Sequence, residues 1–251
     1  MIYILPILLS ILPIFMINWC AKKEEEYPNI KLDTKRKKIL CYTITLSILE
    51  ISSALFDLYK TNLLEIYVIW FILLLLISIS YIDWNTSLIP NRYSYSLIGI
   101  GFLTVIYNFI TKENIFLDAN AQLISFLIIF ASFIIVYFIS KNGVGMGDVK
   151  IIAGTSMFLG ISLTALMLFI SSALILLYDV VIKIIFNKKI KELPNNDLPL
   201  DSESDVVNGR IMGLSKINNR TAIVMGPFLS VAFIISYLVG QEFLNWWFIL
   251  N

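Results

Sequence analysis

Residues 63–91 read LLEIYVIWFILLLLISISYIDWNTSLIPN, an apolar run that ends in an acid and a polar turn. The run from Leu63 to Ile82 has about the 20 residues that an α-helix needs to cross a bilayer. Pro90 biases Ile89 toward an extended conformation, which predicts a stiff turn before the next helix. The stretch therefore predicts a membrane helix whose end holds Asp83 at the water boundary.

The rest of the chain repeats this apolar pattern. Its 251 residues are 58% hydrophobic and 15% charged, which is far more apolar than a soluble domain. Runs of spanning length are predicted at Ile2–Trp19, Ile39–Leu58, Leu63–Ile82, Tyr93–Ile110, Gln122–Ser140, Ile161–Phe186 and Ala222–Gly240. A further piece, Asp148–Gly160, is too short to span squarely. The predicted fold class is all-α: one polytopic membrane helix bundle over residues 1–251, with about eight transmembrane segments.

Basic residues predict the orientation of this bundle, because cytoplasmic loops retain positive charge. Residues 21–38 form a short, strongly basic loop after the first predicted helix, so this loop is expected in the cytoplasm and the N-terminus outside. In the resulting topology all of the 19 basic residues except Lys60 and Lys112 fall on or near the inner side. Asp83 and Asp148 then lie at the same cytoplasmic boundary.

A second polar stretch, residues 187–220, combines prolines, asparagines and acids. Such a composition cannot bury a core, so the stretch is predicted to be a mobile cytoplasmic loop. Its acids could attract a basic substrate tail, although a solvated linker is the favoured explanation.

Asp148 follows three glycines, Gly143, Gly145 and Gly147, in the segment GVGMGDVK. Glycine permits backbone conformations that a Cβ forbids and lets another chain approach closely, which suits an acid presented to a peptide. A glycine-rich turn with an aspartate at a helix N-terminus is also common between helices. The segment lacks the GK[ST] ending of a phosphate-binding loop.

The chain contains no histidine, which excludes Ser-His, Cys-His and HExxH zinc chemistry. Two acids remain as candidates. If Asp83 and Asp148 meet, their carboxylates repel by about 4 kcal/mol at roughly 4 Å and an effective dielectric near 20. One proton would then be shared between a general base for water and a general acid for the leaving amine, in no fixed order.

Three other polar residues bear on the chemistry. Glu50 lies near the middle of the second predicted span with no basic neighbour at helical spacing, so it is expected to be protonated or hydrogen-bonded between helices. Cys20 and Cys41 are the only cysteines, and neither belongs to a CxxC pair. They are expected to be free thiols, without zinc or a disulfide.

At these motifs the chain resembles the type IV prepilin peptidases, the bacterial GxGD aspartyl proteases that remove the leader of prepilins and pseudopilins. The resemblance rests on an aspartate six residues before Ile-Pro-Asn, on the GxGD-Val-Lys segment, and on the Gly-Pro-Phe-Leu segment that begins at Gly226. Ile48–Phe56 is also similar to the family's V-E-x-x-T helix, with Glu50 at the matching acid.

This resemblance implies cleavage after the glycine that ends a short basic leader, at the cytoplasmic face of the bacterial plasma membrane. It implies Asp83 and Asp148 as the catalytic pair. The expected supporting residues are Gly143, Gly145, Gly147, Lys150, Pro90, Asn91 and Glu50. The expected partners are prepilin-type substrates and the lipid bilayer, with no nucleic acid, no metal and an oligomeric state that the sequence leaves open.

Many relatives also methylate the new N-terminus with S-adenosylmethionine, using a zinc-binding region between the first two helices. Here that region is reduced to residues 21–38 without a cysteine pair, so no cofactor is expected unless methylation is retained. Asn85 also stands where relatives commonly have another acid. The alternatives are an archaeal-type preflagellin peptidase and a non-catalytic membrane scaffold or transporter whose acids carry ions or pin helices.

Overall fold

The structure is a computed structural model, and it describes the chain in eight parts. These are residue 6 and residues 9–23, 35–59, 63–112, 115–140, 144–191, 214–217 and 220–250. Within these residues the helices are α1 Leu12–Lys23, α2 Lys35–Tyr59, α3 Leu63–Thr86, α4 Asn91–Thr111, α5 Ala119–Ile139, α6 Met146–Lys191 and α7 Gly226–Leu250. The strands are β1 Leu214–Ile217 and β2 Arg220–Ile223, which pair antiparallel with Leu214 opposite Ile223.

Four of these helices are long and apolar enough to cross a membrane: α3, α4, α5 and the part of α6 that ends at Ile182. Their outward faces are also apolar, as shown by Ile110, Phe138 and Ile139, each more than 70% exposed. A helix surface of this kind suits lipid rather than water. The prediction of a helical membrane bundle is confirmed in this form.

The hairpin corrects the predicted start of the last membrane span. Ala222, predicted to begin the last span, pairs with Ser215 in the hairpin, and the helix begins at Gly226 instead. Pro227 explains this position, because proline fits the first turn of a helix, where no amide hydrogen is needed. The bundle is therefore not purely α-helical.

Both ends of the predicted loop 187–220 have secondary structure, since α6 continues to Lys191 and the hairpin begins at Leu214. Residues 192–213 lie outside the described residues. The predicted loop 21–38 is likewise helical at its ends, because α1 reaches Lys23 and α2 begins at Lys35.

The first part of α6 is the most enclosed segment of the bundle. Residues 151–160 are all buried, and the helix breaks at Gly160, where φ is 75° and ψ is 177°. L-residues rarely adopt this φ, so glycine is required at the break. The sequence predicts a short segment, Asp148–Gly160, followed by a new span at Ile161, and the break lies at that junction.

The short segment reaches the α4–α5 connection because that connection folds in toward it. Phe116 packs edge-on against Phe158 at a centroid distance of 5.4 Å. Asn108 binds the connection through both ends of its amide: Nδ2 donates to the Leu117 carbonyl at 3.0 Å, and Oδ1 accepts from the Ile115 N–H at 3.1 Å. Buried non-helical backbone needs such hydrogen-bond partners.

Candidate active site

Asp83 lies near the end of α3, the helix that supplies much of the buried core. Trp70, Ile72 and Ile79 of this helix are fully buried, and Asp83 itself is only 4% exposed. Its Oδ2 accepts a hydrogen bond of 2.8 Å from the backbone N–H of Gly226, the first residue of α7. A free N–H at a helix N-terminus is a good donor to a carboxylate, so the beginning of α7 holds Asp83 in place.

Asp148 lies in the first turn of α6, within electrostatic range of Asp83. The two carboxylates interact electrostatically across the gap between α3 and α6. Within the described part of the chain, Oδ1 of Asp148 is buried and has no hydrogen-bond partner. A buried carboxylate oxygen without a partner is costly and marks a position where a substrate or a water molecule can bind.

Close packing around the acids requires glycine at two positions. A Cβ on Gly145 would lie 2.8 Å from Oδ2 of Asp148, and a Cβ on Gly226 would lie 2.7 Å from Oδ2 of Asp83. Both distances are too short for a real contact. The glycines thus leave the space that the two carboxylates occupy.

The turn between α3 and α4 packs directly on the beginning of α6. A Cβ on Gly147 would lie 2.8 Å from Cβ of Ile89, so the backbone at Gly147 packs directly against the Ile89 side chain. Pro90 is buried and stands just before α4 in an extended conformation, with φ −63° and ψ 126°. The predicted stiff turn and the glycine segment therefore form one packed unit beside the acids.

A lysine joins the same two turns at the surface. Nζ of Lys150 donates a 2.7 Å hydrogen bond to Oδ1 of Asn91 and lies 4.6 Å from the centre of the Tyr95 ring. Asn91 is the first residue of α4, whereas Lys150 follows Asp148 by two residues. The pair links the helix that carries Asp148 to the turn that follows Asp83.

We expect Lys150→Met and Asn91→Ala each to lower kcat/KM for the reaction proposed below by about tenfold, because either change releases the link between the two turns. The double variant should be no slower than the single variants, since both remove the same contact. Lys112→Met, at the C-terminal end of α4, is the control and should retain parental activity. Additive losses in the double variant would contradict the link.

Among the predicted supporting residues that the structure describes, Glu50 lies away from the paired acids along its helix. Glu50 is exposed on α2, nine residues beyond Cys41, which puts it about 13 Å farther along the helix axis. Cys41 marks the part of α2 that lies near the end of α3, because it lines the same cleft as Trp84. Gly143 lies outside the described residues.

Sequence reasoning missed a serine pair beside Asp83. Oγ of Ser80 donates to Oγ of Ser230 at 2.6 Å, and Oγ of Ser230 donates to the Gly226 carbonyl at 2.8 Å. Ser80 precedes Asp83 by about one turn of α3, and Ser230 follows Gly226 by one turn of α7. In the sequence, the only signal for this pair is that each serine lies one helical turn from Asp83 or from Gly226. That signal identifies the pair only once α3 and α7 are known to be neighbours.

The described residues contain no group of three or more histidine, cysteine, aspartate or glutamate side chains that could hold a metal ion. The two acids alone can exchange a proton with a water molecule and with a substrate amide. The site chemistry that these residues support is therefore acid–base chemistry.

The fold and the site define a class: a helical membrane protein with an acid at the end of one core helix and a second acid at the beginning of another. Residues 70–180, the segment that contains both acids, match the model of the type IV leader peptidase family, and the match supports membership of that family. Membership indicates a peptidase and implies substrates of the prepilin type. No curated protein and no solved structure matches the chain at a significant level.

Proposed function

We propose that this protein is a membrane aspartyl endopeptidase that removes the leader of prepilins or pseudopilins by cutting after a glycine. The observation that supports this most strongly is the approach of Asp83 and Asp148, which lie 65 residues apart in the segment that matches the family. Two acids that interact in a confined site are suited to sharing a proton, as peptide hydrolysis without a covalent intermediate needs.

In the proposed reaction, one carboxylate takes a proton from a water molecule while the oxygen of that water attacks the peptide carbonyl. The partner acid donates its proton to the carbonyl oxygen, so a tetrahedral diol forms and the first acid now carries the proton taken from water. A proton is then transferred to the amide nitrogen, the C–N bond breaks, and a carboxylic acid and a free amine leave. The two acids act as one unit, so neither is assigned a fixed role.

The proposed topology has about eight transmembrane segments, an outside N-terminus and the acids at the cytoplasmic face of a bacterial inner membrane. The basic residues support this orientation, since Arg92 and Lys150 flank the site whereas Lys112 lies at the opposite end of α4. The prepilin would keep its basic leader in the cytoplasm while its apolar helix lies in the membrane against the bundle.

We further propose that the protein needs no metal and does not methylate its product. Because α1 reaches Lys23 and α2 begins at Lys35, only residues 24–34 remain to form a methyltransferase lobe, and they contain no cysteine. The cut pilin should therefore gain no methyl mass when S-adenosylmethionine is supplied, whereas a gain of one methyl group would overturn this part.

Cleavage in membranes tests the central proposal. Membranes that contain the parent chain are mixed with candidate prepilins and preflagellins, and intact-mass spectrometry locates the cut. Cleavage after the glycine that ends the basic leader of a prepilin is expected. Cleavage of preflagellins alone would favour the archaeal-type peptidase, and no cleavage of any candidate would favour the scaffold or transporter.

A further inference from the structure

A cleft of about 450 Å³ opens between α2, α3 and the beginning of α7. Most of its wall is apolar or aromatic and includes Ile44, Ile77, Tyr81, Trp84 and Pro227. A volume of several hundred cubic ångströms with a few polar groups is typical of sites that bind peptide side chains or small molecules.

This cleft lies beside the candidate active site, next to Asp83 along α3 and next to Gly226 along α7. Trp84 directly follows Asp83, and Pro227 directly follows Gly226, the residue whose N–H binds Asp83. Ser80, which is hydrogen-bonded to Ser230 of α7, also lines the cleft. A peptide bond placed at the acids would therefore have the cleft on one of its two sides.

Charge identifies which side of the substrate fits. Lys37, an exposed residue of α2, lines the cleft, and none of the described residues that line it is acidic. A basic leader would be repelled by this cation and would gain nothing from the apolar wall. The apolar residues that follow the cut would bury their side chains there instead.

We propose that the cleft binds the first apolar residues on the C-terminal side of the cut bond, and that its size limits which side chains are accepted there. This inference rests on the proposed peptidase function and adds to it a specificity site formed by α2, α3 and α7. The site would recognise the substrate by hydrophobic fit, whereas the leader binds elsewhere.

Cys41 gives a direct test because its small side chain is buried on the cleft wall. Cys41→Phe should fill part of the cleft and raise KM for the parent prepilin about tenfold or more. The KM of this variant should return toward the parental value when the large residues just after the cut are replaced by alanine. Ser47→Phe, at an exposed position of α2 outside the cleft, should leave KM and the size preference unchanged.

Equal KM values for Cys41→Phe and Ser47→Phe would overturn the inference. So would an equal rise in the KM of Cys41→Phe for substrates with large and with small residues after the cut.

A second measurement does not depend on whether Cys41→Phe folds. Prepilins carry a benzophenone amino acid either two to five residues after the cut or within the leader, and they are irradiated with the Asp148→Asn protein in membranes.

Probes after the cut should attach to residues 37–44 or 77–85, whereas a leader probe should not. If leader probes attach to these residues, or if the probes after the cut attach only to α4 or α5, the cleft assignment is wrong. If the parent chain cleaves the same prepilin, such labelling rejects the cleft assignment and leaves the proposed peptidase function standing. If the parent chain does not cleave, the proposed function and the cleft assignment fail together.

Discussion

Asp83→Asn and Asp148→Asn should each lower kcat/KM for prepilin cleavage by about 10³-fold or more. An asparagine amide has nearly the shape of the carboxylate but can neither take a proton from water nor share one with the other acid, so both halves of the acid–base step are lost. The double variant should be no slower than either single variant, because the two acids act as one unit. Initial rates on one prepilin, with protein amounts matched by blot, measure the effect.

Asp118→Asn is the matched control for this change. Asp118 precedes α5, and its side chain makes no capping hydrogen bond, so the same chemical replacement there should keep the parental rate. If Asp83→Asn or Asp148→Asn also kept the parental rate, the pair would not be catalytic.

Thermal stability separates catalysis from a structural role of the same acids. In the Asp83→Asn protein the new amide oxygen could still accept the Gly226 N–H bond, and removal of either negative charge relieves the repulsion between the two carboxylates. Both variants should therefore unfold at a temperature no lower than the parent chain. A scaffold whose acids pin helices together predicts the opposite result, a clear loss of stability with no peptidase activity to lose.

The sequence predicts the helices well because hydropathy and length are local properties. The apolar run from Leu63 to Ile82 lies within α3, and the glycine at position 160 ends the short segment where the sequence indicates a break. The hairpin was missed because strands of only four residues are stabilised by their pairing with each other, which local composition does not reveal.

Contacts between distant helices are what the sequence could not supply. The Gly-Pro-Phe-Leu segment was singled out by resemblance, yet its role as donor to Asp83 depends on how α7 packs against α3, 143 residues away. The surroundings of Glu50 are a second example. An acid in an apolar run attracts attention, but the direction in which α2 presents it is set by packing, and the structure leaves it exposed and far along the helix from the paired acids.

Gly226→Ala should lower kcat by about 10²-fold with little change in KM. The new Cβ would lie 2.7 Å from Oδ2 and 3.2 Å from Cγ of Asp83, so the buried carboxylate must move or lose its 2.8 Å hydrogen bond. A displacement of about 1 Å in a catalytic group is enough for a loss of this size. The φ of Gly226 lies outside the left-handed region, so φ itself does not require glycine at this position.

The control for this change is Gly99→Ala on α4, where a Cβ would meet nothing within 4 Å. It should keep the parental kcat. A Gly226→Ala protein that folds and binds prepilin normally but cuts slowly would show that the beginning of α7 positions Asp83, a role that lies outside the segment matched to the family. A parental kcat in Gly226→Ala would mean that catalysis does not depend on the observed position of the Asp83 carboxylate or on its hydrogen bond to Gly226. In that case α7 would only pack against the other helices and would not position Asp83.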